Sequence, residues 1–83
     1  MDKMKTVSIK EAATLSGLSI KQVRRYSDAD LLPRVIKIQH GDRIYRHFTE
    51  LDISMLRLIK KYRDQGYYLM PAVKLAKQEL SGK

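Results

Sequence analysis

The sequence predicts a mainly α fold with one small β-hairpin, in the order helix, turn, helix, hairpin, helix, helix. Three observations carry that prediction. Hydroxyl residues at Ser8, Ser19 and Thr49 each open a helix-capping pattern, a β-branched run from Arg34 is broken at His40-Gly41-Asp42, and only Leu18 stands between Gly17 and the second cap.

The capping pairs are Ser8 with Glu11, Ser19 with Gln22 and Thr49 with Asp52. In each, the hydroxyl oxygen can accept from a backbone N–H that the new helix leaves unpaired, and the residue three positions on can return a bond to the cap. The first helix is expected over about Ile9 to Ser16, with Ile9, Ala12, Ala13 and Leu15 on its apolar face and Gly17 ending it. The second is expected over about Ile20 to Ser27, burying Ile20 and Val23 and presenting Lys21, Gln22, Arg24 and Arg25. Two helices joined by so short a glycine-bearing turn form a helix-turn-helix.

After Leu31-Leu32-Pro33, the run Arg34 to Gln39 reads as a strand because β-branched side chains fit a pleated surface. Gly41 can adopt the positive φ that a tight hairpin turn needs, and Arg43 to Phe48 reads as the returning strand. A third helix follows over about 50–65, with Leu51, Met55, Leu58, Ile59 and Tyr62 at helical spacing and Gly66 closing it. A shorter fourth, over about 70–80, tolerates Pro71 in its first turn and sends Val73, Leu75, Ala76 and Leu80 inward.

Eighty-three residues fit one compact domain, expected over 1–83, because so short a chain cannot build two separate cores. The absence of cysteine excludes disulfides, thiolate metal sites and thiol nucleophiles, and suits a cytoplasmic compartment. Apolar runs fall far short of the ~20 residues that span a bilayer, so no membrane partner is expected. The 17 Lys and Arg against 9 Asp and Glu leave a net charge of +8, which attracts polyanions.

Where those cations fall gives the charge a meaning. An α-helix fits the major groove of B-DNA, and its first turns reach base edges. Lys21 and Gln22 lie in the first turn of the second helix, where Lys can donate to guanine and Gln can bond adenine at two points, which makes them the candidate base readers. Ser19, Arg24, Arg25 and Tyr26 are candidate phosphate or groove contacts on the same element. In the hairpin, Arg34, Lys37, Arg43 and Arg46 make a basic ribbon, of which Lys37, Arg43 and Arg46 are the candidate contacts to the backbone or minor groove. Edge-strand protection is the alternative reading of such charges. Tyr45 and Phe48 are assigned to packing.

Taken in order, Val7 to Ala13, Ser16-Gly17-Leu18-Ser19, Val23-Arg24-Arg25-Tyr26, Asp30-Leu31-Leu32-Pro33, Tyr45-Arg46-His47-Phe48-Thr49 and Leu56 through Leu69 resemble the amino-terminal DNA-binding domain of the MerR family of bacterial transcriptional regulators. The resemblance implies a winged helix-turn-helix, with the helix-turn-helix over 8–27, a first wing over 34–48 and a second at the turn and short helix after Gly66. It also implies that Arg24 and Arg46 contact the phosphate backbone while the first turn of the second helix reads bases. Arg25 stands where the family usually has Tyr, Ser27 where it has Glu and Ile44 where Gly is frequent, and the first wing is a few residues longer than usual. The family's long dimerisation helix and effector-sensing segment are expected to begin about where the chain stops.

The leading expectation is therefore sequence-specific duplex DNA binding in bacterial transcriptional regulation. Double-stranded DNA is the partner, a second copy on DNA and RNA polymerase are further candidates, and the compartment is the cytoplasm, at the nucleoid. One alternative is an architectural or recombination accessory protein, similar to excisionases, that bends or coats DNA. Another is a partner-binding module that uses Arg57, Lys60 and Lys61. An enzyme is not expected, nor is any cofactor or metal. His40 and His47 are the only histidines, at a spacing compatible with opposite faces of the hairpin, and no paired carboxylate lies near either in sequence.

Overall fold

The computed structural model describes residues 5–82, so the ends of the expected 1–83 span lie outside the described residues. The chain runs β1 (Thr6–Val7), α1 (Ile9–Ser16), α2 (Ile20–Asp28), β2 (Ile36–His40), β3 (Arg43–Thr49), α3 (Glu50–Asp64) and α4 (Leu69–Ser81). The four helices and the hairpin stand where the capping and turn chemistry predicted them. β1 is an addition: it pairs antiparallel with β3 through Thr6 opposite Thr49 and Val7 opposite Phe48, turning the expected hairpin into a three-stranded sheet of order β1-β3-β2. The segment read as the entrance to the first helix is thus also an edge of that sheet.

All three caps form. Ser8 Oγ accepts from Glu11 N–H, and both Ser19–Gln22 and Thr49–Asp52 close as reciprocal capping boxes. Gly17 ends α1 in the left-handed region, and the hydroxyl of buried Ser16 donates to Ala13 O while accepting from Leu18 N–H, which pins the short turn.

Two helices end with the same wrapped turn and different residues. After α3, Tyr67 N–H reaches back to Tyr62 O and Gly66 N–H to Arg63 O, with Gly66 at φ +105°. After α2, Leu31 N–H reaches Tyr26 O and Asp30 N–H reaches Ser27 O, but the residue at φ +62° is Asp30. Both are Schellman caps, in which glycine meets no Cβ penalty and aspartate does.

The core lies where α1, α2, α3 and α4 meet β3, around Val23, Phe48, Met55, Leu56 and Ile59. Small residues Ala12, Ala72 and Ala76 let the helices approach closely. Leu15, Ile20 and Leu51 were expected to face inward and are instead exposed, because each lies at the margin of its helix's apolar stripe in this short-helix packing. α3 and α4 are also joined at the surface, where Tyr62 Oη donates to Glu79 Oε1 at 2.6 Å and Lys61 Nζ lies 3.3 Å from the same oxygen. The phenol's pKa is raised by that bond and the Glu79 carboxyl's is lowered by it. Among the described residues no helix is long and apolar enough to cross a membrane.

One buried acid ties the hairpin to the rest. Asp52 is fully buried in the first turn of α3, where Oδ2 accepts from Thr49 N–H and Thr49 Oγ1–H and Oδ1 accepts from Arg34 N–H at 2.8 Å. The chain entering β2 and the chain leaving β3 are therefore bound to a single carboxylate.

Candidate nucleic-acid interface

α2 divides cleanly into two faces. Val23, Tyr26 and Ser27 are buried, while Lys21, Arg24, Arg25 and Asp28 follow one another at helical spacing on the exposed side. Lys21, Arg24 and Arg25 enter none of the ion pairs among the described residues, so none of the three is tied up in a close salt bridge. Tyr26 corrects the expectation placed on it. It is 5% exposed and its ring belongs to the core, three residues after Val23 on the same stripe, so packing is its first role and only its edge lines the neighbouring groove.

The two residues of the capping box keep only part of their hydrogen-bonding capacity. Gln22 Oε1 accepts from Ser19 N–H at 3.1 Å, which leaves the amide NH2 to donate outward but engages the oxygen that two-point adenine recognition requires. Ser19 Oγ accepts from Gln22 N–H at 3.0 Å and retains its own proton as a donor. Lys21 carries no such second duty.

The hairpin separates the cations that the sequence placed on one ribbon. Its register sets Ile36 opposite His47, Lys37 opposite Arg46, Ile38 opposite Tyr45, Gln39 opposite Ile44 and His40 opposite Arg43. Alternation then puts Lys37 and Arg46 on the face that carries Phe48 into the core, and Arg43 on the other face with Ile36, Ile38 and Tyr45. Arg43 thus lies at the tip, apart from Lys37 and Arg46. The two histidines share Arg43's face at opposite ends of the ladder, not opposite faces.

Lys37 and Arg46 converge on the end of α2. Arg46 donates from Nη2 at 2.8 Å and from Nε at 3.2 Å to Asp28 Oδ1, and Lys37 Nζ lies 3.8 Å from the same oxygen. The Asp28 carboxyl is held below its ordinary pKa, first by the Arg46 hydrogen bond and then by the charges of Arg46, Lys37 and Arg24, with desolvation opposing. This contact fixes the wing against α2 across 18 positions of sequence. Nothing in the local sequence pattern singled out Asp28.

On the other flank of α2, a groove is lined by Gln22 and Tyr26 and by Lys60, Arg63, Tyr67 and Tyr68. Arg63 Nη1 donates to Tyr67 O at 3.0 Å and the Tyr62 and Tyr67 rings meet edge to face at 5.7 Å, which stiffens the turn after Gly66. Tyr68 projects from it, 81% exposed. On the Arg57, Lys60 and Lys61 face two of the three cations are paired, Lys60 with Asp64 and Lys61 with Glu79, while Arg57 donates to Leu15 O. Among the described residues no group of His, Cys, Asp and Glu is arranged to hold a metal ion.

A short capped helix with a basic outer face, docked behind a tight turn and flanked by a hairpin wing, defines a winged helix-turn-helix domain. The family model described as MerR HTH family regulatory protein matches residues 7–79, and the chain belongs to that family. It is 38% identical over 69 residues to an uncharacterized HTH-type transcriptional regulator of Pseudomonas aeruginosa, covering 83% of this chain and 50% of that protein. It is 36% identical over 63 residues to a probable heavy metal-dependent transcriptional regulator of Haemophilus influenzae, covering 76% and 47%. The chain spans about half the length of these curated relatives. Among solved structures it resembles HiNmlR, a MerR family regulator lacking the sensor domain, bound to promoter DNA, with a TM-score of 0.71 and 28% identity over 95% of this chain and 58% of that one.

Proposed function

We propose that this chain binds duplex DNA sequence-specifically as the reading domain of a transcriptional regulator, with α2 in the major groove. The observation that carries this reading is the outward stripe of Lys21, Arg24 and Arg25 on α2, on a fold similar to that of a promoter-bound regulator. Arg24, Arg25 and the Ser19 hydroxyl serve the phosphates beside the groove, Lys37 and Arg46 serve those under the wing, and Arg43 reaches the backbone or minor groove from the tip. Lys21 is the freer base reader, and Gln22 contributes its amide donor. On this reading the further partners are a second copy on a symmetric site and RNA polymerase, and the working compartment is the cytoplasm, at the nucleoid. The matches to transcriptional regulators do not favour the architectural alternative.

Gel-shift titration across a salt series tests the proposal. Affinity is expected to fall with a log–log slope of about 0.9 per phosphate neutralised. Arg24→Ala should weaken binding to every duplex by about tenfold, whereas Lys21→Ala should flatten the preference among sequences selected from a random pool. Equal binding by Arg24→Ala and the parent at moderate salt would remove α2 from the interface.

A further inference from the structure

The helix proposed to read DNA ends on a carboxylate, where a carboxylate is least at home. Asp28 is the last residue of α2, the negative end of the helix dipole, and it continues the exposed face formed by Lys21, Arg24 and Arg25. Its side chain is 49% exposed, so burial does not require an acid there. What it does hold is the wing. Lys37 and Arg46 stand directly opposite each other in the β2–β3 ladder, and both turn to one oxygen, Asp28 Oδ1. Two N–H groups of a guanidinium on one anionic oxygen, with an ammonium beside it, is an arrangement that a phosphate oxygen would equally accept. The Arg46 side chain is only 16% exposed in this pairing, against the open Arg24 and Arg25.

We propose that Asp28 is an internal stand-in for DNA phosphate, a brake that occupies Lys37 and Arg46 until a backbone phosphate replaces it. The proposal rests on the DNA-binding reading above. In the free protein the trio carries one net positive charge instead of two, so docking the wing releases fewer counterions and must also break the carboxylate contact. Because that loss falls on any duplex the wing touches, the brake lowers affinity generally and leaves base preference to α2.

The experiment compares the parent with Asp28→Asn and Asp28→Ala on a random-sequence duplex over a salt series, each variant first checked for a cooperative melt. The brake predicts binding about two- to fivefold tighter at low salt, the size of a half-exposed ion pair, and a salt slope steeper by about one phosphate. It also predicts that the gain shrinks to what repulsion by an unpaired carboxylate alone supplies when Asp28→Asn is combined with Lys37→Ala and Arg46→Ala. Equal or weaker binding by both single variants, with the parent binding normally, overturns the brake alone and makes Asp28 a positioning residue for Arg46. A gain that persists undiminished without the two wing cations also overturns it, since Asp28 would then act by simple repulsion. If neither parent nor variants bind any duplex, the functional reading fails and the brake with it.

Discussion

The helix-turn-helix and the wing are held in place by opposite means. In the former, the caps and the turn are fixed locally: Ser8 with Glu11, Ser16 with Ala13 and Leu18, Ser19 with Gln22, each within three positions. The wing has only its turn in common with that scheme. Its placement depends on two acids 18 residues from their partners, Asp52 with Arg34 and Asp28 with Arg46. A local device forms with the helix it caps, while a distant one works only once the fold has brought its ends together. The start of α2 and its turn are thus preset by their own sequence, and the wing is set by the rest of the molecule.

Removing the wing's anchor should break this comparison most visibly. Asp52→Ala leaves Arg34 N–H and Thr49 N–H without their acceptor and also opens the α3 cap, so stability should drop by about 2–4 kcal/mol, read from the midpoint of urea unfolding. Next comes Arg46→Ala, which deletes the phosphate contact proposed for that side chain and leaves Asp28 unpaired beside the DNA. Its binding loss should exceed the roughly tenfold loss of Arg24→Ala in the same gel shift. A gain is expected from Asp30→Gly, which relieves the positive φ at the end of α2 and should raise stability by about 0.5–1 kcal/mol in thermal melts.

The smallest effect is the pH dependence of the Asp28 pair. The folded-state pKa of Asp28 lies below its unfolded value, so its contribution is complete above the unfolded pKa of about 4 and is lost as the pH falls through the folded one. With Asp28 half exposed this amounts to less than about 1 kcal/mol. The stability difference between the parent and Asp28→Asn should therefore be present at neutral pH and vanish in strong acid. A difference that survived there would mean that the contact is not ionic.

The same division explains what could be read from the chain. Caps, the Gly17 turn and the β-branched run identified four helices and the hairpin because each is written in adjacent residues. β1 was missed because two residues give no alternation to detect, and only its partner β3 makes it a strand. Tyr26 was within reach, since it follows Val23 at helical spacing, but its place in a run of cations drew it toward DNA. Lys37 and Arg46 were found as cations, yet their separation from Arg43 depends on strand register and their pairing on Asp28. Asp52 was visible as a cap, and its second oxygen, bonded to Arg34, was not.

The reciprocal cap at the start of α2 bears on how this domain can be retargeted. Lys21 makes no side-chain hydrogen bond or ion pair among the described residues, so on the proposed reading a library at that position can explore new base preferences while the helix starts as before. At Gln22 the side chain that would donate to a base also closes the cap through Oε1, so on the proposed reading a change of base preference there is at once a change in how the helix begins. Glutamate is the substitution that keeps both, because it still accepts from Ser19 N–H while offering a carboxylate to a cytosine amino group. Of these two neighbouring letters of α2, one can be rewritten freely and the other only into a residue that still closes the cap.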